Sequence, residues 1–227
     1  MNEDLVVSDD VSRTYGRGAT AVVAVHGATC AVRAGAQIAL VGPSGSGKST
    51  LLHLLAGLDR PTTGEVRWPG LGDPPSRLPA GRIGLVFQGA SLLPDLDVRE
   101  NVALPLILAG RPDGAAKAAA LALLAELDLA ELAAKLPGEI SGGQAQRVAV
   151  ARALVADPAL VFADEPTGQL DHASAATVIG VLIARARRLG AGLVVTTHDP
   201  LIAQQLDQQW RMVDGRPLLP SPAGTAR

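Results

Sequence analysis

Gly42-Pro43-Ser44-Gly45-Ser46-Gly47-Lys48-Ser49 follows the apolar run Gln37–Val41 and opens a helical pattern, Ser49-Thr50-Leu51-Leu52-His53-Leu54-Leu55. Glycines at this spacing let backbone N–H groups turn inward around an anion. A helix beginning directly after them adds its unpaired donors and the positive end of its dipole. A glycine-rich turn alone would be commonplace. The strand before it and the helix after it make this a phosphate-binding loop. In such a loop Lys48 reaches the β- and γ-phosphates, Ser49 holds Mg²⁺, and Thr50 follows in the first helical turn.

Other short apolar runs lie at residues 83–87, 160–163 and 193–197, with weaker ones at 5–7 and 21–26. Runs without polar alternation, separated by helical patterns, predict a parallel sheet covered on both faces. Residues 64–79 are crowded with Pro and Gly and predict a short strand, then a loop. Residues 95–156 are rich in Ala and Leu, with helical spacing and no strand, and Pro105, Pro112 and Pro137 divide them. The expectation is a single α/β domain spanning residues 1–227. It has a P-loop core with a mostly parallel sheet, a small antiparallel β subdomain and an inserted helical subdomain. Residues 214–227 lack periodicity and are expected to be a loose tail.

The formal charge of −2 on 227 residues carries no basic footprint for a nucleic-acid partner. Cys30 is the only cysteine, which excludes an internal disulfide and a cysteine-rich metal site. Met1-Asn2-Glu3-Asp4 is acidic where a secretory signal would be basic. Mean hydropathy is high, +0.25, yet no apolar run reaches the ~18 residues of a membrane span. The most apolar helical stretch, residues 115–136, is broken by Lys117, Glu126, Asp128, Glu131 and Lys135. The expectation is a cytosolic chain whose surplus apolar surface meets partners.

Ala159-Leu160-Val161-Phe162-Ala163-Asp164-Glu165 is an apolar strand ending in two carboxylates. Alone, such a pair is as often an exposed acidic turn. Downstream of a phosphate loop, Asp164 is placed to bind Mg²⁺ and Glu165 to take a proton from an attacking water. Ser141-Gly142-Gly143-Gln144 precedes a helical run, and Ser141 suits an N-cap. The plain reading is a capped helix with a flexible entry. Two glycines at a helix start also make an anion site. One domain has little need of two phosphate sites unless one serves a neighbouring copy, which points to a dimer.

The ordered set of phosphate loop, Gln88 after a strand, Ser141–Gln144, Asp164-Glu165, Asp171 and His198 resembles an ABC transporter ATP-binding subunit. The likeness covers roughly residues 5–214. It implies that Tyr15, the only tyrosine, lies against adenine, and that Gln88 touches Mg²⁺ and water and senses a membrane subunit. It implies that Ser141 and Gly143 bind the γ-phosphate held by the other protomer. Asp171 would lie in a loop crossing the dimer interface, and His198 would contact the γ-phosphate. Taken alone, Tyr15 reads as a packing residue and His198 as a turn histidine; their places in the ordered set reverse both readings.

Gly57-Leu58-Asp59-Arg60-Pro61, Leu92-Leu93-Pro94, the Glu100–Leu106 segment and Asp164-Glu165-Pro166-Thr167-Gly168 resemble one branch. It is the lipoprotein-release and macrolide-export group, to which the cell-division ATPase FtsE is similar. There the ATPase pairs with a separate membrane chain, at the cytoplasmic face of the membrane. The departures are a short segment between Gly64 and Arg82, Gln169 where asparagine is expected, and Ile140 where leucine is commoner. The implied function is a homodimeric, Mg-ATP-hydrolysing motor whose permease docks near residues 88–94. A soluble ABC ATPase remains the alternative in the same fold. A regulatory subunit that binds nucleotide without hydrolysis would be expected to have a damaged Glu165, Ser141 or His198, and all three are intact.

Overall fold

The computed structural model describes residues 3–72, 74–168 and 170–219. The chain opens with two long strands, β1 (Asp4–Tyr15) and β2 (Val22–Arg33), then β3 (Gln37–Val41), α1 (Lys48–Leu55) and β4 (Thr63–Arg67). There follow β5 (Ile83–Val86), α2 (Val98–Leu108), α3 (Asp113–Glu126), α4 (Gly142–Leu154), β6 (Leu160–Asp164), α5 (His172–Leu189) and β7 (Gly192–Thr197). The last elements are α6 (Pro200–Ala203), β8 (Gln208–Val213) and β9 (Arg216–Leu218). No helix among the described residues is long and apolar enough to cross a membrane.

Two compact units divide the chain: residues 1–77 with 194–227, and residues 78–193; the boundary falls inside β7. The first unit holds an antiparallel sheet in the order β2-β1-β4. The short strand expected at the start of residues 64–79 is β4, whereas for β1 and β2 only the runs 5–7 and 21–26 were expected to be strands. The strands are longer because β1 shifts register between Asp4 and Val6, Ser8 and Val11, Val11 and Arg13, and Arg13 and Thr14 and resumes its pairing after each, so polar residues interrupt the apolar pattern without ending the strand. β3 pairs in parallel with β8, Leu40 beside Trp210, and β8 turns back antiparallel into β9. The tail expected to be loose from Asp214 is therefore paired to Leu218; residues 220–227 lie outside the described residues, as does Gln169.

α1 buries Leu51, Leu52, Leu54 and Leu55, each contributing roughly 1.5–3 kcal/mol. It stops because Gly57 turns left-handed (φ 70°). The Gly57 N–H then donates to the Leu54 carbonyl at 3.1 Å, and the Leu58 N–H to the His53 carbonyl at 2.9 Å.

In the second unit β5 and β6 run parallel in register, Leu85 beside Phe162. Every residue of β6 is buried, as expected of a strand covered on both faces. α2, α3 and α4 pack on one another, with Val98, Val102, Leu123 and Leu124 fully buried. Two expectations change here. Pro105 does not divide the segment; it lies inside α2, where its missing N–H costs one i→i−4 hydrogen bond without ending the helix. The helical run expected over 115–136 ends at Glu126, because Asp128 is left-handed (φ 55°). Arg147 Nη1 then donates to the Leu127 carbonyl at 2.9 Å.

Candidate functional site

In the first unit, Gly42, Gly45 and Gly47 all take positive φ (158°, 76° and 97°). A side chain at Gly42 would meet the Met212 carbonyl and Ser46 Oγ, and one at Gly47 would meet the Ala24 carbonyl and Met212 Cε. Only glycine fits either place. Pro43, Ser44 and Gly45 are exposed, and the Ser46 N–H closes the turn on the Pro43 carbonyl at 3.2 Å. Lys48 is buried, its ammonium donating to the carbonyls of Gly42 (3.0 Å) and Pro43 (3.1 Å). The cation is thus folded into its own loop. Ser46 Oγ is buried without a hydrogen bond, an orphan that a bound anion would explain. Ser49 and Thr50 occupy the first turn of α1.

The sequence did not reveal what backs this loop. The Gly215 N–H, in the turn from β8 to β9, donates to the Ser46 carbonyl at 3.1 Å, and the Gly215 carbonyl accepts from His26 N–H at 2.8 Å. The segment expected to be loose is a buttress of the phosphate loop.

Tyr15 ends β1 and is 41% exposed. The Arg13 guanidinium carbon lies 4.6 Å from its ring centroid. Tyr15 OH and Arg13 Nε both donate to Asp59 Oδ2 at 2.9 Å. Burial works against the Asp59 carboxylate, yet these bonds, the Arg60 N–H and the Arg13 charge together hold its pKa below the ordinary range. His198 directly follows β7 and is exposed; Asp199 caps α6 through the Leu201 N–H at 2.8 Å.

In the second unit, Gln88 follows β5 and is exposed. α4 holds the loop both before and after Gln88 in the chain. Gln146 Nε2 of α4 donates to the Phe87 carbonyl at 2.9 Å, and Arg152 donates to the carbonyls of Ser91 (2.9 Å) and Ala90 (3.2 Å). Beside the loop an open apolar groove of about 360 Å³ is lined by Ile83, Leu85, Phe87, Leu93, Leu104 and Leu108 among others. Ser141 caps α4 in a reciprocal box: Gln144 N–H to Ser141 Oγ at 3.2 Å, Ser141 N–H to Gln144 Oε1 at 2.8 Å. Ser141 and Gly142 are exposed, and a side chain at Gly142 would meet open space.

Asp164 is buried at the end of β6. Glu165, the next residue, is half-buried and left-handed (φ 43°). A non-glycine residue there costs roughly 1–3 kcal/mol, the kind of strain that collects where a side chain must be aimed. Asp171 caps α5: its carboxylate accepts from Ser174 N–H at 2.9 Å and Ser174 Oγ at 2.8 Å. These bonds hold its pKa below the ordinary range. No group of three or more His, Cys, Asp or Glu able to hold a metal occurs among the described residues.

The family model described as ABC transporter matches residues 25–168, a stretch that holds the phosphate loop, Gln88, the Ser141–Gln144 box and the Asp164-Glu165 strand end. The chain belongs to that family. The ATP-binding protein LolD of the lipoprotein-releasing system of Geobacter metallireducens is 46% identical over 215 residues, 91% of this chain and 95% of that protein. LolD of Legionella pneumophila strain Paris is 41% identical over 214 residues, 92% of this chain and 94% of that protein. Among solved structures, the dimeric post-hydrolysis state of the ATP-binding cassette MJ0796 bound to ADP and Pi superposes with a TM-score of 0.87 at 34% identity. That likeness covers 93% of this chain and 96% of the other. The chain is an ATP-binding, ATP-hydrolysing subunit of the ABC type. Its fold class is the one expected from the sequence, and the resemblance to the lipoprotein-release group is borne out by these identities.

Proposed function

We propose that two copies of this chain enclose two Mg-ATP, each between the phosphate loop of one copy and the Ser141–Gln144 box of the other. Hydrolysis then drives a separate membrane permease, in lipoprotein release or related extracytoplasmic work. One observation carries the dimer: a single chain presents two anion-type helix entries on different elements, the loop into α1 and the exposed Ser141-Gly142 entry into α4. The LolD relatives and the dimeric MJ0796 cassette support the same reading.

In this reading Lys48 and the loop N–H groups bind the β- and γ-phosphates, while Tyr15 stacks on adenine. The attacking water bonds to the γ-phosphorus as the bond to the bridging oxygen breaks, and Glu165 takes the water proton. His198 and the partner copy's Ser141 and Gly143 bind the γ-phosphate, Gln144 closing the box, and Asp171 lies at the dimer interface. Mg²⁺ would be held by Ser49, Gln88 and Asp164 and would spread the phosphate charge. A hydroxyl, an amide and one carboxylate suit a hard ion that takes its remaining ligands from nucleotide oxygens and water. The permease engages the groove beside Gln88, which puts the chain at the cytoplasmic face of the membrane.

Complementation tests this. Ser141→Arg spoils the box while sparing the chain's own phosphate loop. Lys48→Ala removes a charge-assisted contact of about 1.5–3 kcal/mol. Each variant alone should be inactive, and their mixture should recover at most one working site per dimer. Recovery of full activity, or none at any ratio, contradicts shared sites.

A further inference from the structure

The Tyr15 ring is restrained at two places. Arg13, two residues back on the same side of β1, covers one face at 4.6 Å from the centroid. The hydroxyl donates to Asp59 Oδ2, which also accepts from Arg13 Nε, both at 2.9 Å. The other oxygen, Asp59 Oδ1, accepts from the Arg60 N–H at 2.7 Å. Both carboxylate oxygens are therefore engaged. Asp59 itself belongs to the turn that ends α1, its N–H reaching the His53 carbonyl at 3.3 Å. α1 begins at Lys48 and is eight residues long, a rod of about 12 Å. The phosphate loop enters this rod at one end, and the tether of the Tyr15 ring leaves it at the other.

We propose that Asp59 is a positioning residue for base recognition: with Arg13 it fixes the Tyr15 ring as a one-sided platform at a set distance from the phosphate loop. The proposal rests on the reading of Tyr15 as the residue that stacks on adenine. An untethered tyrosine loses side-chain freedom when a base stacks on it. A ring already held at its hydroxyl and one face has little left to lose, so the stacking is retained as affinity. Arg13 contributes twice, through the ring face and through the shared carboxylate oxygen. A purely architectural role, pinning β1 to the end of α1, would act on the phosphate loop and the base platform alike.

The test uses the full chain and two probes in the presence of Mg²⁺, ATP and inorganic tripolyphosphate, with a thermal melt of each variant. Tyr15→Ala should weaken ATP binding roughly tenfold or more and leave tripolyphosphate unchanged. Asp59→Ala and Tyr15→Phe should each weaken ATP binding roughly three- to tenfold, and the double variant no more than either alone. Asp59→Asn should recover most of the loss, since its amide oxygen still accepts from the phenol. If Tyr15→Ala weakens ATP binding while Asp59→Ala and Tyr15→Phe do not, stacking stands and the tether is overturned. Loss of tripolyphosphate in parallel with ATP in Asp59→Ala, with a lowered melt, also overturns it in favour of architecture. Wild-type ATP affinity in Tyr15→Ala removes the stacking reading itself, and the tether with it.

Discussion

Asn101 holds both backbone groups of Leu93: its Oδ1 accepts from the Leu93 N–H at 2.8 Å, and its Nδ2 donates to the Leu93 carbonyl at 3.0 Å. The same amide nitrogen reaches the carbonyls of Leu96 (2.9 Å) and Asp97 (3.1 Å). Asn101 is fully buried, whereas Leu93 is 44% exposed at the groove beside Gln88. The apolar rim of the groove is thus fixed by its backbone and leaves its side chain outward.

Leu93→Glu should therefore leave the melting temperature of the isolated chain near that of the wild type. Its association with the membrane permease should fall roughly tenfold or more, as for a buried anchor given a charge. Asn101→Ala should do the opposite first, destabilising the chain by about 2–3 kcal/mol through stranded backbone groups. Thermal melts paired with co-purification of the permease check both. A Leu93→Glu chain that melts normally and binds the permease at full strength contradicts docking at this groove.

Gly215→Val should loosen the phosphate loop from behind. Gly215 has φ 75°, and a Cβ there would lie 2.7 Å from the His26 ring and 3.0 Å from the Ala24 carbonyl. The strain should destabilise the chain by roughly 1–3 kcal/mol. The turn that donates to the Ser46 carbonyl must shift, so ATP affinity should fall as well. A thermal melt and an Mg-ATP titration measure the two effects; lost stability with unchanged ATP affinity would show that the turn does not support the loop.

Cys30 predicts a pH dependence. Burial pushes its thiol from the ordinary 9.0 up to about 11, partly offset by its hydrogen bond to Ser8; the Ser8 and Cys30 side chains lie 3.1 Å apart. Its folded pKa is raised, so the contribution is fully present below pH 9 and is lost as pH climbs towards 11, where only the unfolded chain ionises readily. Between pH 8 and about 10.5 the wild type should lose about 2 kcal/mol more stability than Cys30→Ala. Urea melts of both at the two pH values measure it, and equal losses would contradict a buried, neutral thiol.

Continuous apolar runs made β3, β5, β6 and β7 legible in the sequence, because a strand buried on both faces needs no polar alternation. β8 was not legible. It reads Gln-Gln-Trp-Arg-Met-Val, and only Trp210 and Met212 are fully buried, alternating with exposed Gln209 and Arg211; so brief a period-2 alternation is a weaker signal than a continuous apolar run. The phosphate loop could be read because its chemistry is local. The Tyr15 tether could not: Asp59 lies 44 residues away in the chain and is brought close only by folding. Asp171 was read for the interface, while its capping of α5 went unseen because that helix had not been placed. Gln146 and Arg152 looked like ordinary helix residues, since nothing local shows that their side chains hold the carbonyls around Gln88.

Glu165→Gln tests directly whether Glu165 is the base for hydrolysis. The amide keeps the shape but takes no proton. Steady-state ATPase should fall roughly 100-fold or more, while Mg-ATP still binds and gel filtration with Mg-ATP shows a persistent dimer where the wild type is mostly monomer. ATP hydrolysis by the Glu165→Gln chain at the wild-type rate would contradict Glu165 as the base.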